Sequence, residues 1–99
     1  MILEVAILDV KQNQEHNFEK SFSEAQKIIV NMKGYISYKL KKCVETPNRY
    51  ILLVNWEKLE NHTIGFRNST EYQEWKKLLH HYYDPFPIVE HYHSIYEES

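Results

Sequence analysis

His62 is the residue whose type and position point most directly to acid–base chemistry. It lies between Leu59 and Phe66, where apolar residues recur with helical spacing, so its side chain is predicted to point inward. A neutral imidazole in such a place can accept a proton from a phenol. The same pattern is typical of a core histidine hydrogen-bonded to the backbone, so His62 is a candidate catalytic base with a structural alternative.

The chain is rich in aromatic residues, with 8 Tyr, 4 Phe and 2 Trp among 99 residues. In a small domain such side chains pack in the core, form an interface or line a pocket for a flat ligand. Four of them are candidate substrate-binding residues: Trp56, Phe66, Tyr72 and Trp75. Ordinary core packing is the alternative, because aromatic residues at helical spacing are common in cores.

Two further histidine patterns have metal-ligand spacing. His91 and His93 share one face of a predicted strand, and His80 lies one helical turn from Asp84. Neither pattern supplies the three protein ligands of a usual catalytic metal site, and His91 equally suits a dimer interface. Cys43 has no histidine nearby in sequence that would activate its thiol. We therefore expect no metal site.

Composition argues against several cofactors and partners. Gly34 and Gly65 are the only glycines, too far apart for a dinucleotide fingerprint or a phosphate-binding loop, and we expect no cofactor. The 12 Lys and Arg against 14 Asp and Glu give a net charge of −2. Because no basic run could follow a phosphate backbone, no nucleic-acid partner is expected.

The length and polarity of the chain predict one globular domain, residues 1–99. No apolar run approaches the roughly 20 residues that span a bilayer. An acidic residue at position 4 and the absence of a basic flank argue against a signal peptide, and the lone Cys43 cannot form an internal disulfide. These features predict a cytoplasmic protein with no membrane association.

The first third of the chain predicts a strand followed by a long helix. Residues 2–10 are apolar on both faces, as in a strand covered on both sides. Asn13 is a candidate N-cap of the helix, and Gly34 can supply a left-handed stop. The apolar residues of this helix recur with its period: Phe18, Phe22, Ala25, Ile28, Ile29 and Met32.

The middle of the chain predicts a β-hairpin. Residues 35–44 alternate between apolar and polar, and the turn signal Thr46-Pro47-Asn48 follows. Residues 49–57 are apolar on both faces, so this second strand is predicted to be central in its sheet.

The last third predicts a broken helix and a final strand. A short helix around His62 ends at Asn68-Ser69, and Thr70 with Gln73 matches a capping box for a second helix. The buried stripe of that helix is Tyr72, Trp75, Leu78, Leu79 and Tyr82. Asp84-Pro85 ends the helix, and residues 88–96 form the last strand.

The element order β-α-β-β-α-β predicts an α+β class protein with the ferredoxin-like split βαβ fold and an antiparallel sheet. Both helices then cover the same face of the sheet. Because the first and third strands are apolar on both faces, the other face needs a cover, and a second copy of the chain is the simplest one. A homodimer is therefore expected.

The sequence also resembles a known family, the antibiotic biosynthesis monooxygenase domain. The resemblance rests on the order and spacing of several motifs, and it covers nearly the whole chain. The matching segments are Gly34-Tyr35-Ile36, Pro47-Asn48-Arg49-Tyr50, Asn55-Trp56-Glu57, Phe66-Arg67-Asn68-Ser69, Tyr72, Trp75, Leu78-Leu79 and Pro87 to Tyr92.

This resemblance implies a dimeric α+β barrel, in which two sheets pack face to face. Some members of the family oxygenate polyketide anthrones or quinols without metal, flavin or haem, and some degrade haem. The implied activity is a cofactor-independent monooxygenase that uses O2 on a small aromatic, phenolic or quinol-like substrate. Two alternatives on the same fold are a non-catalytic small-ligand-binding protein and a haem-binding protein.

Residue matching within the resemblance argues against haem degradation, and it supports the fold of the anthrone-oxidising branch while saying little about the substrate. Three residues that haem degraders use, an Asn, a Trp and a His, correspond to Ala6, Gly65 and Trp75. Of the residues used by the anthrone-oxidising branch, the Trp is kept as Trp56. The other three fall at Leu52 in place of an Asn, at His62 in place of a Tyr, and near Lys76 in place of an Arg.

Overall fold

A computed structural model describes all residues, 1–99, as a four-stranded antiparallel sheet with two α-helices that pack on each other. The elements in chain order are β1 (Ile2–Asp9), α1 (Glu15–Ile29), β2 (Tyr35–Lys42), β3 (Arg49–Trp56), a π-helix (Asn61–Phe66), α2 (Thr70–Leu79), a 3₁₀ turn (His80–Tyr82) and β4 (Val89–Tyr92). The strand order β2-β3-β1-β4 is that of the ferredoxin-like α+β fold and confirms the predicted class.

One face of the sheet builds the core. In β1 the even-numbered residues alternate inward, and Ala6 and Leu8 are buried on the face that packs against the helices, as is Val10 just after the strand. β3 lies between β1 and β2, which confirms its predicted central place. Phe18 of α1 is fully buried and packs on Tyr50 of β3, with ring centroids 4.8 Å apart. This packing fixes the helices over the strands that carry the site described below.

The predicted ends of α1 need correction. Asn13 is not the N-cap: it adopts a left-handed backbone with φ of 69°, and Gln14 takes the cap position without a side-chain hydrogen bond to a backbone N–H of the helix. The helix ends at Ile29, earlier than predicted. Gly34 does adopt the left-handed conformation, with φ of 84°, but in the turn that leads into β2.

Gly34 also has a packing reason to be glycine. A Cβ at this position would come 2.1 Å from Cγ of Asn61. The Asn61 side chain is held in place because its Oδ1 accepts a hydrogen bond from the backbone N–H of Lys58 at 2.9 Å. Gly34 therefore lets Asn61, the first residue of the π-helix, sit against the start of β2.

The second half of the chain differs from its predicted secondary structure at three points. The N-cap of α2 is Ser69, whose side chain accepts from the backbone N–H of Tyr72 at 3.1 Å, so the predicted Thr70 capping box is wrong. The helix ends at Leu79, and Tyr82 belongs to the 3₁₀ turn that follows. The last strand is shorter than predicted and covers Val89–Tyr92.

The second face of the sheet is uncovered within the single chain and has an apolar centre. Val5 and Leu53 pair across β1 and β3 on this face, and both are only partly buried. Ile7 on the same face is 42% exposed. The prediction that the first and third strands are apolar on both faces is therefore confirmed. No helix in the structure has the length and apolar character needed to cross a membrane.

Candidate active site

A cavity of about 420 Å³ lies between the sheet and the second half of the chain. Its floor includes Ala6 of β1 and Leu52 of β3, which pair across the two strands. The helical side contributes aromatic walls, and Phe86 and Pro87 close it from the segment before β4. The volume suits a small planar molecule.

Four of the five predicted site residues line this cavity: His62, Phe66, Tyr72 and Trp75. The structure brings them together because His62 and Phe66 lie on the π-helix while Tyr72 and Trp75 lie on α2. Trp56 does not line the cavity. It is fully buried behind His62, and the two rings stack with centroids 5.5 Å apart and an angle of 19° between planes.

The aromatic wall is held by edge-to-face contacts. The Phe66 ring meets Tyr72 at 5.2 Å and Trp75 at 5.6 Å between centroids, with interplanar angles of 76° and 79°. This arrangement is the preferred one for aromatic pairs. The wall is therefore preorganised for a flat apolar ligand.

His62 is 3% exposed, which confirms that its side chain points inward. Burial lowers the pKa of its imidazole to about 3, and the positive charge of Arg67 acts in the same direction. The ring is therefore neutral near pH 7. Both ring nitrogens face protein groups: Nε2 lies 3.4 Å from Oε1 of Glu4, and Nδ1 lies 2.8 Å from Nε2 of His91.

Glu4 is a site residue that the sequence reasoning missed. It is 5% exposed on the core face of β1 and lines the cavity. Oε1 accepts a hydrogen bond from the indole N–H of Trp56 at 3.0 Å. Burial raises the pKa of the Glu4 carboxyl to about 7, against the lowering effects of this hydrogen bond and of the Arg67 charge.

His91 was predicted only as part of a histidine pair on the last strand. In the structure it lies opposite Glu4 in the β1–β4 pairing and reaches His62. It is partly exposed and does not line the cavity, so it lies between the buried site and the surface. Burial lowers its pKa, and Arg67 adds to this effect. His93 lies beyond β4 and is exposed.

Charge at the cavity is dominated by one cation. Arg67 lines the cavity, is exposed, and forms no ion pair with a side chain of the protein. Tyr72 and Tyr83 also line it, and burial raises the pKa of each phenol, so both are neutral near pH 7. The arrangement offers a guanidinium at the edge of an aromatic site with a buried carboxyl at its base. Such a site can bind a flat molecule and hold the anion formed when it loses a proton.

One sequence signal could have identified Glu4. It is the acidic residue among the inward positions of a strand whose other inward residues are apolar. His91 carried a weaker signal, since the register that brings it opposite Glu4 is not encoded locally. No group of three or more His, Cys, Asp or Glu side chains is positioned to hold a metal ion.

The fold and the site together define a small α+β domain with an aromatic ligand cavity between helices and sheet. Residues 1–78 match the sequence profile of the antibiotic biosynthesis monooxygenase family, and the chain belongs to this family.

Similar proteins extend over almost the whole chain. YczJ of Bacillus subtilis (strain 168), an uncharacterised protein, is 54% identical over 95 residues, which cover 96% of this chain and 100% of YczJ. A crystal structure of an antibiotic biosynthesis monooxygenase-family protein from Bordetella bronchiseptica superposes with a TM-score of 0.91 at 33% identity, covering 96% and 97% of the two chains. SnoaB of Streptomyces nogalater, a cofactor-independent oxygenase, shares the fold with a TM-score of 0.76 at 13% identity, covering 97% of this chain and 94% of SnoaB.

Proposed function

We propose that this protein is a cofactor-independent monooxygenase that uses O2 to oxidise a small planar phenol, quinol or anthrone. Membership of the antibiotic biosynthesis monooxygenase family supports a monooxygenase-like role. The oxygenase SnoaB, described as cofactor-independent, supports the same chemistry on the shared fold. The observation that carries the proposal is the aromatic cavity with proton-accepting side chains in its wall.

The chemistry requires a base and a dry pocket. Removal of a proton from an anthrone gives an electron-rich enolate, which passes electrons to O2 and then forms a carbon–oxygen bond. The resulting peroxide loses water to give a carbonyl, so one oxygen atom enters the product and the other leaves as water. The substrate supplies all the electrons, and the protein supplies orientation, proton transfer and exclusion of bulk water.

His62 is proposed to take part in the proton transfer as the imidazole on the cavity wall. Its burial keeps it neutral, which is the form that can accept a proton. Phe66, Tyr72 and Trp75 are proposed to hold the substrate ring, and Arg67 to stabilise the enolate by its charge. Trp56 supports the site by fixing His62 and Glu4 rather than by contact with the substrate.

The test is oxygen consumption by protein purified in the presence of a chelator, over a panel of quinols and anthrones. We expect saturable O2 uptake with at least one planar member, and none with bulkier non-planar phenols. Tight binding of a planar member without O2 uptake would instead support the non-catalytic ligand-binding alternative.

We expect that added haem is not degraded. Ala6 and Gly65 offer no polar or aromatic side chain at two matched positions, and Trp75 cannot serve as an axial ligand to iron. The measurement is the Soret band of haem incubated with the protein and a reductant. Loss of the band with release of iron would favour a haem-degrading function, and a stable shifted band would favour the haem-binding alternative.

We also propose that the protein is a homodimer formed through the uncovered face of the sheet. Burial of this apolar face against a second copy would remove it from water. Val5→Lys places a charge at its centre, and we expect this change to convert a dimer into a monomer by light scattering. Val44→Lys is the matched control, because Val44 is an 89% exposed loop residue. A monomeric wild-type protein at micromolar concentration would refute the proposal.

The predicted cytoplasmic location stays a prediction.

A further inference from the structure

Three side chains from three different elements form a continuous chain between the cavity and the surface. Glu4 on β1 is the inner end, His62 on the π-helix is the middle, and His91 on β4 is the outer end. The two separations along this chain are 3.4 Å from Glu4 Oε1 to His62 Nε2 and 2.8 Å from His62 Nδ1 to His91 Nε2. A buried carboxyl that is linked to a partly exposed histidine through a neutral one has the geometry of a proton path.

We propose that Glu4 is the general base of the reaction, and that His62 and His91 form the path by which the Glu4 carboxyl first loses its own proton to solvent and becomes the carboxylate that the reaction needs. The proposal rests on the proposed function for the identity of the substrate proton. Glu4 is then the catalytic residue, because its carboxyl borders the cavity. His62 and His91 are relay residues that bring the Glu4 carboxyl to its ionised form.

The position of each carboxylate oxygen suits this role. Both protein contacts of the Glu4 carboxyl, to Trp56 and to His62, fall on Oε1. Oε2 accepts no hydrogen bond from the protein. Protein atoms do not enclose it completely. Oε2 is therefore the oxygen available to a substrate proton, while Trp56 holds Oε1 in place.

The proton of the resting Glu4 carboxyl leaves before the reaction. From Oε1 it passes to Nε2 of His62, His62 gives its Nδ1 proton to Nε2 of His91, and His91 releases a proton from its own Nδ1 to water. Glu4 ends ionised, and His62 ends neutral with its hydrogen moved from Nδ1 to Nε2. Oε2 of the carboxylate then takes the substrate proton and returns it to the peroxide formed with O2, whose loss of water leaves Glu4 ionised for the next turnover. A buried imidazolium need not persist at any stage, which agrees with the strong burial of His62.

The charged and titratable groups around Glu4 are compatible with a carboxyl that becomes ionised near neutral pH. Arg67 at the edge of the cavity favours the ionised carboxylate, while His62 and His91 are neutral. Tyr72 and Tyr83 keep their protons, since burial raises the pKa of both phenols. Burial is the larger influence on the Glu4 carboxyl and raises its pKa to about 7. A purely structural carboxyl at this position would gain nothing from a path to solvent.

The first test follows the tautomer of His62 in the free protein, by nitrogen NMR of the labelled imidazole rings between about pH 5 and pH 9. With Glu4 protonated, His62 accepts at Nε2 and carries its hydrogen on Nδ1. With Glu4 ionised, His62 donates from Nε2. We expect this change of tautomer near neutral pH in the wild type. We expect it equally in the control variant Glu60→Gln, because Glu60 is an exposed carboxylate two residues before His62. Glu4→Gln should abolish it. A His62 tautomer that stays constant with pH, or that changes equally in Glu4→Gln, would overturn the relay.

The second test measures the proton-transfer step without oxygen. Anthrone is incubated with the protein in deuterated buffer under nitrogen, and deuterium at its acidic carbon is measured by mass spectrometry. We expect the wild type and Glu60→Gln to accelerate exchange, and Glu4→Gln to lose roughly 100-fold or more, the usual scale for a general base. His91→Phe should slow exchange with solvent while Glu4 remains in place.

The two proposals fail in different ways in this experiment. Deuterium exchange that depends on Glu4, together with no O2 uptake in air, would support the base and contradict the oxygenase function. Exchange that is unchanged in Glu4→Gln would overturn the assignment of Glu4, whatever the outcome with oxygen. Failure of the wild type to accelerate exchange would also count against Glu4 as a base.

Discussion

His62→Ala is expected to lower turnover of a phenolic or quinol substrate by roughly 100-fold or more per folded molecule, the scale for loss of a proton-transfer group. The change removes the imidazole that contacts both Glu4 and His91, so the Glu4 carboxyl loses the path by which it is ionised. The measurement is steady-state O2 consumption, normalised to the folded fraction from circular dichroism. His16→Ala, on an exposed position of α1, is the control and should retain full activity.

A structural histidine would behave differently in the same experiment. His62 stacks on Trp56 and is almost fully buried, so its removal also leaves a cavity and lowers the melting temperature. If that were its whole role, activity per folded molecule would stay nearly unchanged. A destabilised but fully active His62→Ala protein would therefore exclude a part for His62 in proton transfer.

Glu4→Gln is expected to become more stable relative to the wild type as the pH rises from about 4.5 to about 7. The unfolded chain ionises Glu4 near its ordinary pKa of 4.5, whereas burial in the folded protein raises the pKa to about 7. Between these values the folded state holds a proton that the unfolded state has lost, so wild-type stability falls with rising pH. The accumulated cost is on the order of 3 kcal/mol, and the neutral Gln amide avoids it.

The pH dependence of stability that His62 contributes has the opposite sign to that of Glu4. The difference in stability between the wild type and Glu4→Gln is therefore more informative than the wild-type stability alone. Burial lowers the pKa of His62 from 6.5 to about 3, and the unfolded chain binds the proton in this range. Stability from this group therefore rises with pH and offsets the Glu4 effect between about pH 4.5 and 6.5. Urea denaturation at several pH values should give a stability that rises more steeply with pH there for Glu4→Gln than for the wild type. A difference between the two proteins that does not vary with pH would contradict the raised pKa of Glu4.

Much of the fold was predictable because its signals are local. The helical spacing of Phe18 and Phe22 identified α1, and the two-faced apolar pattern of residues 49–57 identified the central strand. The element ends were predicted less well because caps compete. Asn13 and Gln14 are adjacent candidates before α1, and Ser69 and Thr70 are adjacent candidates at the start of α2; the structure places Gln14 and Ser69 at the caps.

The site was predictable on its helical side and not on its sheet side. Phe66 and Trp75 lie near His62 in sequence, and their spacing placed them on one wall. Glu4 and His91 are far from His62 in sequence, and they meet it only through the pairing of β1 with β4. Trp56 was expected to contact the substrate, but the stacking that orients its ring against His62 places it behind the cavity.

The proposed activity requires that the chain itself, with O2, inserts oxygen into a planar aromatic substrate. The most direct measurement is incubation of chelator-treated protein with an anthrone under isotopically labelled O2, followed by mass spectrometry of the product. We expect a quinone that carries one labelled oxygen atom, formed over many turnovers and lost in Glu4→Gln. An unlabelled product, whose new oxygen came from water, or a product formed at the same rate without protein would contradict it.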